Sequence, residues 1–312
     1  MNATVFQACV VLGGSLGTVL LGLAYFRHVR LPRPAIGAFN GRDIAILFVF
    51  IVTLPALYVV LPPLLLTGFL VLTFTSALSI GYKPLVPGPL LWLAISALIS
   101  VNIWVARGDL GTVTGWQLYW GLTSVAVLLA AAAIANLYVQ GGMRLQHVAW
   151  FALGLAVYDP LFSLVIPLTV RLADTFAGFP LDPSIGFRAG VNNANIGIGD
   201  LLVYTLFTVT AYKGYGRRAA TYSLGAVLIF GGLVPVLVPL LMSSLMRGNI
   251  GFVVPAQTFF GPAAFVLYLW LRRQGPERSM ADWLTRAEGT DPDTSRAGAQ
   301  LPPIIEPFRP VG

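Results

Sequence analysis

From Ile44 to Ile80 the chain carries no charged residue. A stretch of about 37 residues is far too long for one crossing of a ~30 Å hydrocarbon core. It therefore reads as two spans, parted at Leu61-Pro62-Pro63. Apolar runs of this kind recur along the chain in place of alternating or amphipathic patterns. Only 10% of the 312 residues are charged and 57% are hydrophobic, whereas a soluble domain carries about 25% charged residues. The expected fold is all-α and polytopic, with nine transmembrane helices. The spans lie near residues 4–26, 44–60, 62–80, 86–106, 115–139, 147–171, 193–213, 219–245 and 250–271.

The net charge of +7 is not a nucleic-acid signal, because the basic residues fall between the apolar runs. Arg27, Arg30, Arg33, Arg42, Lys83, Arg144, Lys213, Arg217, Arg218, Arg272 and Arg273 lie on one side of the membrane under this span order. Arg107, Arg171, Arg188 and Arg247 lie on the other. Positive residues collect in cytoplasmic loops, so the N-terminus is expected outside and the C-terminus in the cytoplasm. The first run begins near Thr4 with no basic residue before it and its basic cluster after it, the order of a retained anchor. Residues 1–273 form the expected membrane domain. Residues 274–312, poor in large apolar side chains, are expected to be a disordered cytoplasmic tail in which Met280–Leu284 could form a surface turn of helix. A single cysteine, Cys9, excludes a disulfide within the chain. With only His28 and His147 as imidazoles, neither a metal nor a cofactor is expected.

Twelve residues are acidic. Asp43, Asp109, Asp174 and Asp182 fall at span ends or in loops, and Glu277, Asp282, Glu288, Asp291, Asp293 and Glu306 fall in the tail. Asp159 and Asp200 remain, on consecutive expected spans. A carboxylate inside a bilayer costs roughly 2.5–3.5 kcal/mol, so such residues face the bundle interior and mark a pathway, a relay or a site. The bland alternative is a neutral Asp hydrogen-bonded to a neighbouring helix. On these boundaries the two differ in depth, ~18 Å for Asp159 and ~10 Å for Asp200. Pro160 and Pro167 could bend span six, and the glycines before Asp200 could shift the entry of span seven. Those two glycines, in Gly197-Ile198-Gly199-Asp200, also let a neighbouring backbone come close. Asn192, Asn193 and Asn195 are expected to cap span seven. Asn102, Gln117 and Asn136 are expected to hydrogen-bond between helices. Gly13 and Gly17 form a Gly-x-x-x-Gly whose simpler reading is helix packing, with self-association into a homo-oligomer as the other.

Tyr158-Asp159 on the sixth span, Gly197-Ile198-Gly199-Asp200 on the seventh and Pro255-Ala256-Gln257 at the start of the ninth together resemble the motifs of the presenilin and signal peptide peptidase superfamily of intramembrane aspartyl proteases. The likeness is to a divergent, prokaryotic-type member and covers roughly residues 147–271, the expected catalytic half; Tyr204, four residues after Asp200, belongs to it. One position departs: Gln257 stands where the family carries Leu. The resemblance implies a presenilin-like nine-helix fold in which Asp159 and Asp200 are catalytic. Tyr158, Gly197, Gly199, Pro255, Ala256 and Gln257 would support the site or bind substrate. The implied partners are transmembrane-helix proteins, entering from the lipid bilayer. Two other readings use the same residues: a proton-coupled transporter or channel with the Asp pair as relay, and a catalytically inactive membrane scaffold, for which Gln257 would be the sign. Prepilin peptidase also carries Gly-x-Gly-Asp but fits the span count and the Tyr-Asp placement less well.

Overall fold

A computed structural model describes residues 3–31, 41–108, 110–165, 175–189, 192–238, 241 and 255–289. The molecule is mostly helical. Along the chain run α1 (Ala3–His28), α2 (Gly41–Val60), α3 (Pro63–Tyr82), α4 (Gly88–Gly108), α5 (Val113–Gln140) and α6 (Leu145–Pro160). After a strand pair come α7 (Ile198–Tyr215), α8 (Arg217–Ala226), α9 (Gln257–Arg273) and α10 (Met280–Gly289). Five helical segments among the described residues are long and apolar enough to cross a membrane: Val5–His28, Pro63–Tyr82, Gly88–Gly108, Val113–Gln140 and Arg217–Val238. A multi-pass membrane protein is compatible with these lengths.

Proline chemistry sets several boundaries. The uncharged run divides at Leu61-Pro62: α2 stops at Val60 and α3 starts with Pro63 at its first position, where a missing N–H costs nothing. In the expected eighth span, α8 passes into a π-helical stretch, Val227–Leu233. Pro235 has no N–H to offer the carbonyl four residues back. That carbonyl, of Gly231, instead accepts the hydroxyl of Tyr204 at 3.0 Å.

The expected all-α fold needs one correction. Between α6 and α7 lie two antiparallel strands, β1 (Ser184–Ala189) and β2 (Asn192–Gly197), in a register that pairs Ser184 with Gly197 and Ala189 with Asn192. The apolar cross-strand pair Ile185 and Ile196 is buried, and both side chains lie against Gly14 of α1. Asn192, Asn193 and Asn195 are therefore strand residues, and the N-cap of α7 is Gly197, with no side-chain capping bond. Asn- and Gly-rich segments are poor strand formers on their own; here the ladder and the α1 contact supply what propensity lacks.

Around this, α7 is almost wholly buried between α1, α5, α6 and α8. Buried polar side chains join the helices as expected at two positions. Asn102 donates to Thr123 Oγ1 at 2.8 Å and accepts from Leu181 N at 2.8 Å. Asn136 donates to the Gly22 carbonyl at 3.0 Å. Gln117 is exposed instead. On α1 the close approach uses Gly14 and Gly22, not Gly13, which has open space where a Cβ would sit.

Asp182, assigned from sequence to a loop, is a buried carboxyl, only 4% exposed, and accepts from Ser184 Oγ at 2.8 Å. Burial pushes it up to about 7, against the Ser184 hydrogen bonds that favour the anion. A group raised in the folded state contributes stability below its unfolded pKa and loses it as the pH rises through the folded one. Thermal stability in detergent is expected to fall as the pH rises from about 4 through about 7, and Asp182→Asn to remove that part of the fall. An unchanged pH profile in the variant would refute this.

The segment from Gln274, read from the sequence as tail, is laid back on the helix ends as far as Trp283. Lys213, 1% exposed at the end of α7, donates to the Met143 carbonyl and faces Glu277 at 4.0 Å. Glu277 Oε1 accepts the Leu145 N–H at 2.8 Å, capping α6. Arg278 Nε donates to the Gly214 carbonyl at 2.9 Å. The Trp283 ring packs 4.8 Å from Phe26 with the Arg30 guanidinium 4.4 Å above it. A buried ammonium without its counter-charge is costly, so Glu277→Ala is expected to lower stability by about 3 kcal/mol. Glu277→Gln, which keeps the cap but not the charge, should lose less. Thermal unfolding of the two variants checks the order.

Candidate active site

Asp159 is the penultimate residue of α6, and Asp200 lies in the first turn of α7. The helix boundaries at both residues differ from the expected span boundaries. Regular α-helix ends at Pro160 and passes into a π-helical turn, Leu161–Val165, while α7 begins at Ile198 rather than near residue 193. The end of one helix thus meets the start of the next.

The residue that joins them is Gln257, the first of α9. Its backbone N–H donates to Asp159 Oδ2 at 3.3 Å, and its side-chain Nε2 donates to Asp200 Oδ1 at 2.8 Å. Gln257 itself is 2% exposed, whereas Asp159 and Asp200 are half-buried residues. The Gln257 Oε1 is buried and has no hydrogen-bond partner among the described residues. Thus α6, α7 and α9 converge on two carboxyls and one carboxamide.

The other sequence candidates are placed as follows. Tyr158 is half-buried; its hydroxyl reaches the Val52 carbonyl on α2 at 3.4 Å and its ring lies 4.3 Å from Phe162. Gly197 ends β2 and caps α7, and a Cβ there would stand 3.9 Å from Asp200 Oδ2. Gly199 is exposed and has nothing within 4 Å of a notional Cβ, so the expected close backbone approach at this pair is not found among the described residues. Pro255 is buried and Ala256 is the N-cap of α9, its carbonyl accepting from Phe259 and Phe260. Pro167, expected to bend span six, and the start of the expected ninth span before Pro255 lie outside the described residues.

Sequence reasoning missed the contact that holds the site together. Gly261, one turn into α9, sits where a Cβ would run into the Ala152 carbonyl and the Ala156 methyl of α6. This is the most extensive helix pairing among the described residues. The signal was present as small residues on both helices, Ala152, Ala156, Gly261 and Ala264, a pattern that lets backbones approach in membranes. Behind it, Tyr204 and Phe207 of α7 pack edge-on against Phe260 at 4.7 Å and 5.7 Å. Among the described residues, no three His, Cys, Asp or Glu side chains gather where a metal could bind. No protein-family model matches the chain, and no curated protein matches it.

Proposed function

We propose that this protein is an intramembrane aspartyl endopeptidase of the presenilin and signal peptide peptidase type, hydrolysing peptide bonds within transmembrane helices. The observation that carries the reading is the meeting of Asp159 and Asp200 on one residue, Gln257, at the junction of three helices. Two carboxyls held together do not both ionise easily and share one proton. The ionised member takes a proton from water as its oxygen attacks the scissile carbonyl carbon. The protonated member gives its proton to the carbonyl oxygen. Collapse of the tetrahedral adduct breaks the C–N bond: the carboxyl that took the water proton gives it to the leaving nitrogen, and a hydroxyl of the adduct returns its proton to the other carboxyl. One water is consumed and the dyad returns to its starting state.

A substrate helix satisfies its own backbone hydrogen bonds, so its scissile segment must unwind before attack. The Pro255–Gln257 turn lies beside the dyad and is the surface against which the extended segment would rest. Nine spans with the N-terminus outside and the C-terminus cytoplasmic complete the proposed architecture. With that orientation, preferred substrates have their N-terminus inside.

The test is cleavage of a panel of membrane-helix substrates by purified protein in vesicles, comparing wild type with Asp159→Ala and Asp200→Ala. Equal cleavage by all three would sink the proposal. Gradient-driven proton flux abolished by the same variants, with no cleavage, would replace it with the relay reading.

A further inference from the structure

Gln257 occupies a position that would be apolar if the resemblance held throughout, yet it is the only side chain among the described residues with a hydrogen bond to the carboxyl of Asp200, and its own backbone N–H holds Asp159. It is 2% exposed, so the donor side of both hydrogen bonds is buried. Its place at the first turn of α9 is itself fixed, because Gly261 locks that helix onto α6.

We infer that Gln257 is a positioning residue of the aspartate pair: its main chain and its carboxamide together set the separation and orientation of the two carboxyls. This rests on the proteolytic reading of the same site. A leucine at this position can pack but cannot donate, so the carboxyl of Asp200 would be left to choose its own rotamer. A glutamine restricts it, because a charge-assisted N–H···O bond has a narrow preferred geometry. The carboxamide carbonyl, Oε1, is left as a buried acceptor beside the dyad. A buried acceptor is satisfied by whatever donor enters, and the donor that an unwound substrate brings is a peptide N–H.

The experiment uses full-length protein in vesicles with a membrane-helix substrate that wild type cleaves. Gln257→Met keeps the length of the side chain and removes the donor. Its kcat is expected to fall about 10-fold or more, the worth of one hydrogen bond to a charged group, with the protein still folded in detergent. A second arm needs no turnover: in infrared spectra of protein carrying labelled aspartate, the carboxyl band that Asp200→Asn removes is expected to shift in Gln257→Met. Wild-type kcat in Gln257→Met, a loss of activity that only tracks loss of folded protein, or an unshifted Asp200 band would each overturn the inference. If instead wild type and the Asp→Ala variants cleave alike, the proteolytic reading fails, and the infrared arm alone decides whether Gln257 holds Asp200.

Discussion

Asp200→Asn is expected to reduce cleavage of a membrane-helix substrate by about 10³-fold or more while leaving the protein folded. The asparagine keeps an oxygen where Asp200 Oδ1 accepts from Gln257 Nε2 at 2.8 Å, so the junction of α7 and α9 keeps its hydrogen bond. What it loses is the ability to take or give the proton. Asp159→Asn should behave alike, since the Gln257 N–H can still donate to an amide oxygen. Because the two carboxyls act as a unit, the double variant is expected to be no slower than either single one. Asp200→Ala is the informative contrast. It strands a buried donor on Gln257, whose Oε1 has no partner among the described residues, and should cost about 1–3 kcal/mol of stability in addition to the activity. Turnover and thermal unfolding measured on the same preparations separate the two effects. Multiplying losses in the double variant, or Asp200→Asn retaining a tenth of wild-type turnover, would argue against a shared-proton pair.

Gly261→Val is expected to damage both stability and turnover, although residue 261 touches neither carboxyl. The new side chain would be driven into the Ala152 carbonyl and the Ala156 methyl. Forcing apart packed helices costs about 3 kcal/mol in such cases. The more telling loss is catalytic. Gln257 lies one turn away on the same helix, so moving α9 off α6 carries both of its hydrogen bonds out of line. A displacement of about 1 Å at a reacting centre is worth about 100-fold in rate. Ala156→Gly in the same chain removes one of the two obstructions and should restore part of each loss. Gly199→Ala is the control: nothing stands within 4 Å of a Cβ there, so it should fold normally. Wild-type melting and turnover in Gly261→Val would show that the α6–α9 contact does not position the site.

Much of this arrangement was legible in the chain itself. The uncharged stretch from Ile44 was expected to break in two, and Pro62-Pro63 marked where its helices part, because a proline ring and a missing N–H act locally. The acid census singled out Asp159 and Asp200 because burying charge in an apolar run is costly whatever the fold. Other features were not legible, and each depends on groups far apart in sequence. Asn192–Gly197 became a strand because Ser184–Ala189 lies beside it and α1 covers the pair; its Asn-rich composition argued for a cap. Asp182 is buried although its neighbours read as a loop, because Ser184 and the helices around it close over the turn. The residues after Gln274 dock because Lys213 and the first N–H of α6 need Glu277.

For the two carboxyls that dominate the chain, the division is the same. Their presence inside apolar segments was determined by sequence alone, since it follows from residue type and hydropathy. That they meet was decided by tertiary structure. Pro160 ends the regular part of α6, the strand pair delays the start of α7, and Gly261 brings α9 close enough for Gln257 to reach both. Hydrogen bonds and steric contacts act over a few ångströms, and only the packed fold sets which residues lie that close.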